Sequence, residues 1–281
     1  MSSPIESEEF IMKKNLVSLF VLLTTITLCG CTKKQGEKKE LVIFAAASMQ
    51  ESLTELGNQY MNEYSDIQLV YNFDSSGTLK TQIQEGANAD IFISAGQKQM
   101  DQLDINADPS INTEKLDYVL KETRFDILEN KVVLAVANEN ANITSYDEMI
   151  TALKKKEIKL AIGNEDVPVG QYTKKIFDYY GLSEQELNDT GCLTYGTNVK
   201  EVTTQISEGL VDSGIIYHTD AYSANLNAVD YATKEMCGQV IYPAAVLNIS
   251  NHQDEAIKFL EYLQSDVADE VFSNVGFTPL K

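Results

Sequence analysis

Basic residues are scarce in this chain of 281 residues. It contains 22 Lys and Arg against 42 Asp and Glu, and Arg124 is the one arginine. The resulting net charge of −20 repels nucleic acid, and no basic cluster is combined with aromatic residues as a strand-binding groove requires. The composition therefore argues against a nucleic-acid partner.

Histidine is equally scarce, and His218 and His252 are the two that occur. No cysteine cluster accompanies them, so the pattern predicts no site that ligates a metal cation directly, and we expect both side chains at the surface. The sequence also lacks a G-x-S-x-G nucleophile elbow. With so few candidate bases for a serine nucleophile, we expect no enzyme, and a hydrolase is the weakest alternative.

One long apolar run is present, at residues 16–28. About 13 residues are too few for a membrane-spanning helix, which takes roughly 20, but they suit the apolar region of a secretory signal peptide. We therefore assign residues 1–30 to a signal peptide. The acidic residues 1–11 do not fit a positively charged signal start and are read as an extension upstream of it.

The apolar run ends in Leu-Cys-Gly-Cys at 28–31, which resembles a bacterial lipobox. The last cysteine of a lipobox is lipidated and becomes the mature N-terminus, so Cys31 is the expected lipid attachment site. Residues 31–40 then form the lipidated N-terminus and a flexible tether. These features predict an extracytoplasmic protein anchored to the cell membrane, with a plain cleavable signal as the alternative.

Two further cysteines, Cys192 and Cys237, lie in the remainder of the chain. An extracytoplasmic location permits a disulfide between them. Two buried thiols fit the sequence equally well, because spacing alone does not show whether the two residues meet.

Apolar strand-like runs alternate with amphipathic helical segments over most of the chain, beginning with 41–45 and the helix after it. Such alternation predicts an α/β fold with mostly parallel sheets flanked by helices. The strand–helix units are too many for one small sheet, and no linker divides the chain into two consecutive domains. We therefore expect two lobes with the chain crossing between them. We assign residues 41–136 plus 240–281 to lobe I and 137–239 to lobe II, with crossings near Ala137 and Val240.

Hydroxyl, small or glycine-flanked residues stand at four junctions that lead into predicted helices. Each junction alone fits ordinary helix capping, as Ser48 with Glu51 and Asn198 with Glu201 illustrate. In open α/β sheets, however, ligands bind at the carboxyl ends of the strands, where helix starts present N–H groups to anions. Four such junctions together predict an anion-binding cleft. They lie at 45–51, 73–78, 167–172 and 197–201.

Residues 41–281 resemble the periplasmic molybdate-binding protein family. No single motif decides this, but six motifs occur in the family's order. They are FAAAS at 44–48, YNFDSSGTL at 71–79, GANADIFISAGQKQMD at 86–101, AIGNEDVPVGQY at 161–172, VDSGIIYHTDA at 211–221, and YPAAV with GFTP near the C-terminus.

The resemblance implies a type II periplasmic-binding-protein fold with the ligand cleft between the lobes. It also implies a monomer without a cofactor that captures molybdate or tungstate for the permease and ATPase of an ABC importer. The oxyanion contacts fall on Ser48, Ser76, Val169, Val199 and Tyr217. Position 169 commonly carries alanine in the family, so the valine is a departure.

The implied contacts are all neutral, with three hydroxyls and two backbone N–H groups. Such donors suit a fully deprotonated dianion, whereas an acceptor carboxylate would favour a protonated anion such as hydrogen phosphate. Asp74 and Asp90 are therefore expected to lie outside the site, because their charge opposes a dianion at close range. Sulfate or phosphate binding on the same fold is the main alternative.

Overall fold

The computed structural model describes residues 38–137 and 142–280. The signal peptide, the residues upstream of it and the lipid attachment site at Cys31 lie outside the described residues. From Lys38 onward the chain forms one compact unit that contains two β-sheets.

The first sheet has six strands in the order β11-β4-β10-β3-β1-β2. Strands β1, β2 and β3 are mutually parallel, while β10 runs antiparallel to β3 and β4, and β11 runs antiparallel to β4. Most of β1 is buried on both faces, as its continuous apolar sequence predicts. The strands are β1 (Lys39–Ala46), β2 (Ile67–Asp74), β3 (Ile91–Ile93), β4 (Phe125–Asn130), β10 (Val240–Val246) and β11 (Thr278–Pro279).

The second sheet has five strands in the order β7-β6-β8-β5-β9. Strand β6 is parallel to β7 and β8, and β5 is antiparallel to β8 and β9. The strands are β5 (Val132–Val136), β6 (Leu160–Gly163), β7 (Leu193–Gly196), β8 (Ser213–Tyr217) and β9 (Asn227–Tyr231).

Helices flank both sheets and begin at residues that suit helix starts. Ser75, Ser145, Ser183, Asn198 and Ser265 each cap a helix with a side-chain oxygen. The helices are α1 (Gln50–Glu63), α2 (Ser76–Gln84), α3 (Gln97–Asp101), α4 (Tyr146–Lys155), α5 (Pro168–Tyr179), α6 (Glu184–Asp189), α7 (Val199–Ser207), α8 (His218–Ser223), α9 (Lys234–Cys237), α10 (Gln253–Tyr262) and α11 (Asp266–Asn274).

The two-lobed α/β fold predicted from the sequence is confirmed, with one sheet in each lobe. The sheets are mixed rather than mostly parallel, because the strands next to the two crossings run antiparallel to their neighbours. Local hydropathy indicates a buried strand but not the direction of its partner.

The chain crosses from the first sheet to the second at Lys131, between β4 and β5, rather than near Ala137. Strand β5 therefore belongs to the second lobe, although the sequence analysis places residues 41–136 in the first. The reason is that β5 finds its partners in β8 and β9, far along the chain. The return crossing lies between β9, which ends at Tyr231, and β10, which begins at Val240.

The structure also shows where the two remaining cysteines and the two histidines lie. Cys192 and Cys237 are both buried free thiols, so the structure has them unbridged. His218 and His252 are half-buried rather than fully exposed. Within residues 38–137 and 142–280, no helix has the length and apolarity to cross a membrane, and no three His, Cys, Asp or Glu side chains form a group that could hold a metal ion.

Candidate functional site

A small cavity of about 10 Å³ lies between the lobes. Residues at the carboxyl ends of β1 and β2 and just after β1, β2 and β3 form one wall, and residues at the starts of α5 and α7 and the end of β8 form the other. The lining consists of Ala46, Ala47, Ser48, Asp74, Ser75, Ser76 and Ala95 from the first lobe, and Val167, Pro168, Val199 and Tyr217 from the second.

Four of the five contacts expected from the sequence therefore line one cavity: Ser48, Ser76, Val199 and Tyr217. The fifth, Val169, is fully buried and follows the wall residue Pro168 in the first turn of α5.

Ser48 lies in a short 3-10 turn after β1 and does not cap α1, because no side chain accepts a hydrogen bond at that helix start. Its Oγ is 2.8 Å from the hydroxyl of Tyr242, which also accepts a hydrogen bond from Asn130 Nδ2 at 3.2 Å. Because Asn130 donates to Tyr242, the Tyr242 hydroxyl is best used as a donor to Ser48. The hydroxyl hydrogen of Ser48 is then left to point at a ligand.

Ser76 occupies the first turn of α2, and its neighbour Ser75 caps that helix by accepting from Thr78 N at 3.1 Å. The capping role thus falls on Ser75 and leaves Ser76 for other contacts. Ser76 Oγ accepts a hydrogen bond from Ala95 N at 2.9 Å. With one lone pair occupied by a backbone donor, the hydroxyl hydrogen of Ser76 is available to donate into the cavity.

The second lobe approaches the cavity with the starts of two helices. Val199 is the first residue of α7 and Val169 is the second residue of α5, after Pro168. N–H groups in the first turn of a helix have no intrahelical partner and carry partial positive charge. Both valines can therefore offer backbone donors to an anion while their side chains contribute only shape.

Tyr217 ends β8 and is buried, with its ring edge against the rings of Tyr172 and Tyr242. Burial raises the pKa of Tyr217 well above its ordinary value, so the phenol keeps its proton at neutral pH. Its hydroxyl donates to Ala95 O over 3.4 Å, a long contact that an anion in the cavity could replace.

Asp74 lines the cavity, although the sequence analysis places it outside the site. Its Oδ1 accepts hydrogen bonds from Ser75 N at 2.7 Å and from Asn198 Nδ2, in the other lobe, at 3.2 Å. Asp90 does lie elsewhere: it is buried and accepts from Val42 N and Ser250 Oγ. The cavity wall is therefore not entirely neutral, but the carboxylate in it has protein donors of its own.

The two lobes meet closely around the cavity. A Cβ atom added to Gly77 in the first turn of α2 would overlap the carbonyl oxygen of Asp166 from the other lobe. Glycine at this position allows the two backbones to approach. The structure thus has the cleft closed over the cavity.

Sequence reasoning missed Tyr242 and Asn130, the two residues that orient Ser48. Both are buried, at 0% and 3% exposure. Asn130 also donates to Thr219 Oγ1 at 2.9 Å, so its amide connects the first lobe to the second at the crossing. Tyr242 does occur in one of the six family motifs, but nothing local indicates that its hydroxyl reaches Ser48.

Comparisons with known proteins agree with the fold. A family model described as bacterial extracellular solute-binding protein matches residues 41–278. A Bacillus subtilis protein, YvgL, is 32% identical over 95% of this chain and 98% of its own length, and is provisionally named an ABC transporter substrate-binding lipoprotein. The molybdate-binding protein ModA of Haemophilus influenzae is 31% identical over 91% of this chain and 96% of its own length.

Among solved structures, the periplasmic molybdate-binding protein of Azotobacter vinelandii superposes with a TM-score of 0.72. The match covers 86% of this chain and all of that one, at 19% identity. At this identity the likeness establishes the shared two-lobed fold.

Proposed function

Because this chain belongs to the family of bacterial extracellular solute-binding proteins, we propose that it captures molybdate outside the cytoplasm for an ABC importer. One observation carries the proposal. The cavity is lined by hydroxyl groups that can donate to a ligand. Ser76 Oγ accepts from Ala95 N, and Ser48 Oγ lies 2.8 Å from the Tyr242 hydroxyl, which is the better donor of that pair because it accepts from Asn130. Ser48 and Ser76 are the two residues in this arrangement.

A fully deprotonated tetrahedral dianion has acceptors only, so it binds best where every protein group is a donor. Ser48, Ser76 and the protonated Tyr217 supply hydroxyl donors, and the helix starts at Val169 and Val199 supply backbone N–H groups. These five residues remain our proposed oxyanion site. Their partial charges act at short range and require no lysine or arginine in the cavity wall.

The relatives support molybdate as the ligand and transport as the role. The Haemophilus influenzae relative is named for molybdate binding and the Bacillus subtilis relative for an ABC transporter. We therefore propose a binding protein without catalytic activity or cofactor, acting as a monomer with a permease and an ATPase. Lipidation at Cys31 would hold it at the cell membrane. Tungstate, which has nearly the same size and charge, is proposed as a second ligand.

Hydrogen phosphate is the alternative with a specific observation in its favour, because Asp74 could accept its proton. Against it, Asp74 Oδ1 already accepts from Ser75 N and Asn198 Nδ2. A carboxylate with two protein donors has less capacity left for a ligand proton. Sulfate differs from molybdate mainly in size and remains a candidate that only binding measurements distinguish.

Calorimetric titration of the protein from Lys38 onward with molybdate, tungstate, sulfate and phosphate in parallel tests the proposal. We expect saturable heats for molybdate and tungstate and much weaker heats for the other two anions. Equal heats for all four, or none for molybdate, would rule the assignment out.

A further inference from the structure

Three consecutive residues at the start of α7 face the first lobe. The middle residue, Val199, lines the cavity. On one side of it, Asn198 Nδ2 donates to Asp74 Oδ1 at 3.2 Å. On the other side, Lys200 Nζ lies 2.8 Å from both carboxylate oxygens of Glu51 on α1. A single helix start therefore meets the ligand cavity and, directly beside it, two carboxylates of the opposite lobe.

A second carboxylate, in its own lobe, also holds Lys200 in this position. Asp220, at the start of α8 in the same lobe, is fully buried, and its Oδ1 is 3.3 Å from Lys200 Nζ. Burying a carboxylate is costly unless an opposite charge stays close to it. The ammonium of Lys200 is therefore fixed within its own lobe, and Glu51, whose side chain is 46% exposed, joins it from the other lobe.

Asn198 makes two side-chain hydrogen bonds at the start of α7. Its Oδ1 accepts from Glu201 N at 3.1 Å and caps α7, which leaves its Nδ2 for Asp74. The Oδ1 contact fixes the first turn of α7, and the Nδ2 contact joins that turn to the first lobe. Neither lobe needs these cross-lobe contacts to build its own sheet or helices. These contacts would therefore stabilise the closed arrangement of the lobes relative to the open one.

We propose that Asn198 and Lys200, with their partners Asp74 and Glu51, form an interlobe latch that slows reopening of the cleft around the bound oxyanion. The inference rests on the proposed function, since it requires an oxyanion to be retained. The residues of the latch are positioning residues: they hold the start of α7, with the backbone of Val199, against the first lobe. Because the contacts form only on closure, they act on release rather than on encounter.

Stopped-flow kinetics with sodium molybdate tests the latch. Tyrosine fluorescence is the signal, since the chain has 14 tyrosines and no tryptophan. Glu51→Gln removes the charge from one contact. Asn198→Ser removes the other contact but keeps a good helix cap. We expect each variant to raise the dissociation rate about threefold to fivefold and the double variant about tenfold, with association within about twofold of wild type.

Glu55→Gln is the matched control, because Glu55 lies on the same helix and its bond at 3.4 Å is to Gln59 in its own lobe. It should release molybdate at the wild-type rate. Thermal unfolding without ligand should be the same for Glu51→Gln and for the control, since the latch does not hold either lobe together.

The outcomes separate the two proposals. A wild-type protein that does not bind molybdate overturns the proposed function and the latch with it. If wild type binds and the double variant releases molybdate at the wild-type rate, the latch alone is overturned. A change confined to association would equally overturn it, because it would place these residues in encounter rather than in retention.

Discussion

The two lobes approach the same cavity with different chemistry. The first lobe presents side-chain hydroxyls, Ser48 and Ser76, each held by a specific protein partner. The second presents two helix starts at Val169 and Val199, where the proposed donors are backbone N–H groups, together with the phenol of Tyr217. At Ser48, Ser76 and Tyr217 the proposed donor is the side chain, so the residue type matters. At Val169 and Val199 the proposed donor is the backbone, so the side chain can be exchanged as long as the helix start stays in place.

A backbone donor at position 169 would be compatible with the valine there, where the resemblance to the molybdate-binding family implies alanine. A backbone donor survives an exchange of the side chain, provided that the helix start stays in place. The difference between the two kinds of donor also indicates that the two lobes should respond differently to substitution. The predictions below test that difference, beginning with the largest expected effect.

Closure brings the two kinds of donor together, so blocking it should affect binding most. Gly77→Ala places a methyl group against the carbonyl oxygen of Asp166 in the other lobe. We expect a loss of about 3 kcal/mol in the free energy of molybdate binding, measured by calorimetry. Thr81→Ala, on the exposed side of the same helix, is the control. Wild-type affinity in Gly77→Ala would show that the lobes do not close as tightly as described.

Asp90 in the first lobe and Asp220 in the second are both buried carboxylates, but their partners differ. Asp90 in the first lobe accepts from Val42 N and Ser250 Oγ, whereas Asp220 in the second has Lys200 beside it. Burial raises the pKa of Asp220 from 3.8 to about 6, although Lys200 acts in the opposite direction. A carboxyl group with a raised pKa contributes stability below its unfolded pKa and loses that contribution as the pH rises through the folded pKa.

Relative to Asp220→Asn, wild type should therefore lose on the order of 2–3 kcal/mol in free energy of unfolding as the pH rises from 4 to 7. Urea unfolding of both proteins across that range measures the difference. Glu208→Gln, an exposed change at the end of α7, should follow the wild-type curve. Parallel curves for wild type and Asp220→Asn would mean that Asp220 titrates at its ordinary pKa.

Ser76→Ala tests the side-chain chemistry of the first lobe. The change removes a donor to a charged ligand and leaves Ala95 N without its acceptor. We expect molybdate binding to weaken by about 2 kcal/mol, within the range for hydrogen bonds to charged groups. An unchanged affinity by calorimetry would remove Ser76 from the site.

Tyr242→Phe tests whether the partner of Ser48 matters as well as Ser48 itself. Without the phenol, Ser48 loses the donor that directs its own hydrogen toward the cavity. We expect a loss of about 1 kcal/mol in binding. Tyr262→Phe, whose hydroxyl bonds Gln59 away from the cavity, should bind normally. If Tyr242→Phe lowers the melting temperature but not the affinity, Tyr242 serves packing alone.

The smallest effect is expected for the side chain of Val199. Two variants of this residue, compared with each other, separate the role of the side chain from that of the backbone N–H. Val199→Ala keeps the backbone N–H and should change binding by less than about 0.5 kcal/mol. Val199→Pro replaces the side chain and also removes that N–H, and proline is well tolerated as the first residue of a helix. We expect it to weaken binding by about 2 kcal/mol. Equal affinities for the two variants would contradict a backbone donor at this position.

Much of this arrangement is predictable from the sequence, and the features that are not depend on contacts between residues far apart in the chain. Ser48, Ser76 and Tyr217 stand in recognisable motifs next to strand ends, and the structure places all three around one cavity. The assignment of β5 to a lobe depends on pairing with β8 and β9, which no local pattern reveals. Tyr242 was missed because it meets Ser48 across 194 residues of chain.

The amide of Asn130 bonds Thr219 in the second lobe and Tyr242 in the first. Asn130 and Tyr242 stand on adjacent strands of the first sheet, so a rotation of the lobes should break the bond to Thr219 and keep the bond to Tyr242. The hydrogen bond that orients Ser48 would then persist while the cleft is open. We therefore expect the first lobe to be ready for an oxyanion before the second lobe closes on it.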